Sequence, residues 1–105
     1  MADEVVVRIY EVTQGFPKVE VYGLTSQIRR SAISVPSNIV VGCARESQRE
    51  YLRFLEIAFA SLRELHYQID LAIKLNYIKE KNASECQLKL NETEKVLGAL
   101  IRSLR

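Results

Sequence analysis

Two prolines, four glycines, two cysteines, one histidine and no tryptophan occur in 105 residues, and each scarcity narrows what the chain can be. All-β folds spend Gly and Pro freely on turns, so this supply argues against one. A lone histidine with two distant cysteines, Cys43 and Cys86, leaves too few ligands for a zinc site. No Glu-x-x-His pair of the di-iron bundle type occurs, and no glycine-rich loop opens a helix in a phosphate-binding arrangement. Neither a metal nor a cofactor is therefore expected. The longest uncharged run, residues 31–44, is too short and too polar to span a bilayer. The opening "MADEVVVRIY" carries acids where an export signal needs a basic start, and no small-residue cleavage site follows. A cytoplasmic protein with reduced, buried thiols and no membrane partner is the expectation.

Apolar residues make up 48% and charged residues 27%, the balance of a globular domain, and Leu, Ile, Glu, Lys, Arg and Ala favour helices. Net charge is +2, with acids in excess over residues 1–23 and bases in excess beyond. That distribution is no polybasic nucleic-acid signature. One domain over residues 1–105 is expected.

Four amphipathic segments follow from spacings of three and four residues. Val5, Ile9, Val12 and Phe16 share one face, ended by "GFPK". Leu24, Ile28, Ser31, Val35 and Ile39 continue the rhythm. The third segment, about residues 48–75, is centred on Tyr51, Leu55, Leu62, Ile69 and Ile73, with Ser47 and Glu50 placed as a capping box. In the fourth, Cys86, Leu90, Thr93, Leu97, Leu100 and Leu104 share a stripe, with Asn82 or Ser84 as the cap. The expected architecture is all-α, an antiparallel up-and-down four-helix bundle whose short first helix covers one corner thinly. Phe54, Ile57 and Ser61 widen the apolar arc of the third segment. That width fits either burial against another chain or a central helix touching two partners in its own chain.

The second segment, "IRRSAISVPSNIVVG", combines helical spacing with Pro36 and has no acid between residues 24 and 45. Proline removes a donor and crowds the carbonyl four residues back, costing about 3 kcal/mol in a regular helix. The segment must kink or be two helices, with Ser31, Ser34 and Ser37 available to bond freed carbonyls or to cap a restart. Ala32 and Gly42 permit close backbone approach.

"YGLTSQIRRSAISVPSNIVVGCARES", followed by "EYLRFLEIAFASLRELHYQIDLAIKLNYI", resembles the bacterial four-helix-bundle proteins encoded in intervening sequences of 23S ribosomal RNA. The resemblance covers about residues 16–101 and is densest over 22–65. Relatives there include the accessory variability protein of diversity-generating retroelements, a pentameric barrel with a basic surface that binds nucleic acid and a reverse transcriptase. The resemblance thus implies a homo-oligomer, most simply a pentamer, with nucleic acid and a reverse transcriptase as candidate partners. The chain departs from the family pattern in a shorter first helix and in Val41, where the family's "SNIxEG" stretch carries an acid. That change makes the local surface more apolar and more basic.

Arg45, Arg49 and Arg53 fall at intervals of four, and with Arg29 and Arg30 they are the candidate phosphate-gripping set, since guanidinium forks bind phosphate bidentately. Glu46, Glu50, Glu56 and Glu64 are interspersed, so the same pattern also describes an ion-paired, solvated helix face. Tyr51, Tyr67 and Tyr77 are candidate base-stacking side chains, with Tyr51 on the core stripe. His66 precedes Asp70 by four residues. It reads either as a hydrogen-bonded bundle histidine or as a base for Ser31 or Cys43, and nothing sets those residues close together. The expected function is a non-enzymatic nucleic-acid-binding or adaptor protein that engages structured RNA or an RNA–DNA complex. The alternative is a protein-interaction scaffold.

Overall fold

The computed structural model describes all 105 residues. Its elements in order are α1 (Ala2–Thr13), a single 3-10 turn (Lys18–Glu20), α2 (Leu24–Cys43), α3 (Gln48–Lys74) and α4 (Glu80–Leu104). The chain is all-helical, and no helix is long and apolar enough to cross a membrane.

Helix boundaries trace to local chemistry. Ser47 Oγ accepts from the Glu50 backbone N–H at 3.1 Å, so the first half of the capping box forms and α3 starts where its sequence predicts. At the other end Asn76 adopts φ 63°, with Tyr77 N–H donating to Ala72 O at 2.9 Å and Asn76 N–H to Ile73 O at 3.0 Å. This is a Schellman closure with asparagine in the left-handed position. At α2 the first-turn donor Leu24 N–H is taken by Glu20 Oε1 at 3.0 Å, a cap delivered from the 3-10 turn. Helix α4 begins earlier than its expected caps. Lys79 precedes it without a side-chain cap, and Asn82 lies inside the helix, where it accepts from Arg8 at 3.0 Å.

Pro36 does not divide the second segment, because α2 runs unbroken through it. The neighbouring serines do not serve freed carbonyls either. Ser31 donates to Glu64 (3.3 Å) and Ser34 bonds Ser61 (2.8 Å), both on α3, while the Asn38 amide donates to Ser34 O at 2.8 Å. The small polar residues thus join two helices, which compensates the proline from outside α2.

The core stripe includes Ile9, Ile28, Leu55, Leu62, Leu65, Ile69 and Leu90, each at most 1% exposed. Burying each such side chain contributes about 1.5–3 kcal/mol. Helix α3 packs against both α2 and α4. That explains its broad arc within one chain: Phe54 and Ser61 are half-buried on the α2 flank, though Ile57 stays exposed. Two expectations need correcting. On α4 the stripe turns to bury Ile101 and leaves Leu100 exposed, and Cys43 is exposed at the α2 terminus while Cys86 is buried. Phe16 lies beyond α1 and is buried, its ring centroid 5.4 Å from that of Tyr77.

Candidate functional site

Gln48 Nε2 donates to Leu104 O at 3.1 Å, and Arg105 reaches Glu56 at 2.6 Å. These contacts bring the end of α4 to the turn between α2 and α3. Close approach at that turn depends on Gly42. A Cβ there would lie 2.9 Å from Phe54 Cβ and 3.2 Å from Tyr51 Cδ1. The turn carries Arg45, whose guanidinium sits 5.0 Å above the Phe54 ring, and the first turns of α3 carry Arg49 and Arg53. All three are exposed, and none lies in an ion pair. The Glu46–Arg49 and Arg53–Glu56 pairs of an ordinary solvated face are not made.

Three grooves adjoin at this end. One of about 520 Å³ lies along α3 between Arg49 and Arg53, with Glu50, Leu52 and Glu56. A second, of about 420 Å³, runs from Gly42 and Cys43 past Arg45 to Tyr51 and Leu104. The third, about 320 Å³, lies between α3 and α4 and brings Arg102 and Arg105 to the same region. Sequence reasoning passed over Arg102 and Arg105. They stand some fifty residues from Arg53, in a helix whose apolar period says which side faces the core and nothing about the neighbouring helix end.

The remaining candidates go elsewhere. Arg29 Nε donates to Thr13 Oγ1 at 2.9 Å, and its guanidinium lies 4.6 Å over the Tyr10 ring, so it fastens α2 to α1. Arg30 is exposed and unpaired, but it stands nine residues before the sequence position of Ile39 and over a dozen before the α2 terminus. At 1.5 Å per residue, that sets it about 20 Å from the arginines at the end. Tyr77 donates to Glu20 Oε2 at 2.8 Å and meets Phe16, which takes up its hydroxyl and part of its ring. Tyr51 is half-buried beside Cys43, and desolvation with that neighbour raises its hydroxyl pKa above the usual value. Of the three candidate tyrosines, Tyr67, exposed on α3, keeps its ring free.

His66 Nδ1 lies 2.5 Å from Glu94 Oε2, and Arg63 reaches the other oxygen of that carboxylate at 2.6 Å. Asp70 stands 3.9 Å from Nε2. The histidine therefore belongs to an α3–α4 network. The structure does not join it to Ser31, which is bonded to Glu64, or to Cys43 at the bundle end.

The model of the family described as 23S rRNA-intervening sequence protein matches residues 1–99. A solved structure from Bacteroides thetaiotaomicron VPI-5482, of a protein with unknown function from the S23 ribosomal protein family, is 25% identical. It superposes with a TM-score of 0.84 over 95% of this chain and 94% of that one. No curated protein matches the chain.

Proposed function

The chain belongs to the 23S rRNA-intervening sequence protein family, and from that premise we propose that it is a non-enzymatic nucleic-acid-binding adaptor, acting in the cytoplasm on structured RNA or an RNA–DNA complex. The observation that carries this reading is the arginine-lined bundle end. Arg45, Arg49 and Arg53 project there without carboxylate partners, beside Arg102. An unpaired guanidinium is free to take a phosphate bidentately and need not first break an ion pair. Arg29 drops out of the binding set and Arg30 contributes at most at a distance. The contacts Ser34–Ser61 and Ser31–Glu64, with Gln87–Asp70 and Gln48–Leu104, support an antiparallel up-and-down bundle. As a homo-oligomer, a pentamer on the family resemblance, the protein repeats the basic end around its axis and multiplies weak phosphate contacts.

The test is the double variant Arg49→Glu with Arg53→Glu. Fluorescence anisotropy against structured RNA, duplex DNA and an RNA–DNA hybrid across a salt series should show wild-type affinity falling steeply with salt, and the double variant losing it. Sedimentation should show the assembly intact. Unchanged affinity in the double variant removes the site.

A second reading is favoured by a different observation. Ile33, Val40 and Val41 on α2 are exposed by 43%, 68% and 37%, on a helix with no acid. Such a face suits a scaffold that binds protein, including a second copy or a reverse transcriptase. Capture of a protein partner that is insensitive to salt, with no nucleic-acid binding, would select it.

A further inference from the structure

Gly42 lies in the last turn of α2 and Gly98 inside α4, where glycine lowers helix stability. Packing accounts for Gly42, because Phe54 and Tyr51 leave no room for a Cβ. It does not account for Gly98. A Cβ there would meet only Arg102 Nη1, the far end of a flexible side chain, at 3.3 Å and Phe59 Cε2 at 3.6 Å, an ordinary contact. What the missing side chain does is let the Arg102 guanidinium lie close to α4 and leave Phe59 lining the groove between α3 and α4 with no side chain from position 98 against it.

That groove encloses about 320 Å³ lined by Phe59, Ala60 and Ile101 on its apolar side. The volume is at the lower end for small-molecule sites, which run roughly 300–1,000 Å³. Its one carboxylate, Glu56, is held by Arg105 at 2.6 Å, so Arg102 remains as the uncompensated cation. Glu56 also borders the Arg49–Arg53 groove, so the two depressions adjoin. An aromatic ring with a free cation beside it, next to a run of unpaired arginines, is the arrangement that takes a planar ring bearing a phosphate.

We propose that the α3–α4 groove takes one unstacked nucleotide of a single strand, its base against Phe59 and its phosphate on Arg102. The following phosphates pass the Arg105–Glu56 pair and run over Arg53 and Arg49. This inference rests on the nucleic-acid reading above and specifies the form of nucleic acid. Bases within a duplex are stacked and paired and cannot enter, whereas loops, bulges and ends of structured RNA present them.

The probe is a single-stranded oligouridylate carrying one aminopurine, a fluorescent adenine analogue whose emission falls on stacking. The chain has no tryptophan, so the signal reports the base alone. The full-length protein should quench it saturably. Gly98→Leu, which fills the groove with a better helix former, and Phe59→Leu, which removes the ring, should each weaken binding about tenfold and abolish the quenching. Thermal melts followed by circular dichroism confirm that both variants are folded. Binding without quenching, or both variants binding and quenching like wild type, overturns the groove while leaving the arginine interface standing. No binding of this strand, of structured RNA or of duplex by the wild type overturns both.

Discussion

An added methyl group at Gly42 would sit 2.9 Å from Phe54 Cβ, a carbon fixed to the α3 backbone. Ala in place of Gly gains about 1 kcal/mol of helix propensity, but overpacking at a rigid contact costs about 1–3 kcal/mol. Gly42→Ala should therefore lower the urea midpoint, whereas Gly98→Ala, which meets only the tip of Arg102, should leave it unchanged or raise it. A second residue-scale expectation concerns Glu20. Hydrogen bonds from the Leu24 N–H and, secondarily, from the Tyr77 hydroxyl hold its carboxyl below the ordinary carboxylate value. A depressed folded pKa contributes stability that is present above the unfolded value and is lost as pH falls through the folded one. Wild type should therefore be more stable than Glu20→Gln near neutral pH, with the gap closing in acid below the ordinary Glu range. Urea midpoints across that window check the sign. The Schellman closure gives a third: Asn76→Ala places a poor left-handed residue at φ 63° and should cost about 1 kcal/mol in the same titration.

At the scale of elements, α2 shows how an unfavourable residue is carried. Pro36 withholds one backbone donor and disfavours the turn before it, a cost of about 3 kcal/mol in an isolated helix. Removing it also frees the unfolded chain, which returns up to about 1 kcal/mol. Pro36→Ala should therefore stabilise the fold by about 2 kcal/mol, raising Tm in a thermal melt. The proline is tolerated because Ser31 and Ser34 tie α2 to α3, and Ile28, Ala32 and Val35 are buried along its length. Helix α1, with 12 residues against 27 in α3, is held differently. Arg29 grips Thr13 and Tyr10, while Arg8 bonds Asn82 and Glu85. A residue that looked like a ligand contact is thus part of the bundle's fastening.

At the scale of the whole molecule, the proposed oligomer needs a surface that meets another copy. The acid-free outer face of α2 exposes Ile33 and Val40 with nothing of its own chain over them. Desolvating that stripe against a second copy would favour association, and two carboxylates placed there would oppose it. Ile33→Asp with Val40→Asp should reduce the proposed oligomer to monomers in sedimentation, with helicity retained in circular dichroism. These substitutions leave Arg45, Arg49 and Arg53 in place, so a monomeric variant should still bind RNA, more weakly for want of repeated contacts.

Helix number, the buried stripes and the start of α3 were legible in the sequence, because spacing of three and four and a serine cap are local properties that neighbouring helices reinforce. The proximity of Arg45, Arg49 and Arg53 was legible for the same reason. Tertiary structure alone decided the rest. It spent Arg29 on α1, tied His66 to Glu94, exposed Cys43 and turned Ile101 inward in place of Leu100. It also brought Arg102 and Arg105 to the α2–α3 turn. Each of these depends on which helix lies beside which and at what height, and the apolar period of a single helix carries no record of its neighbour's register.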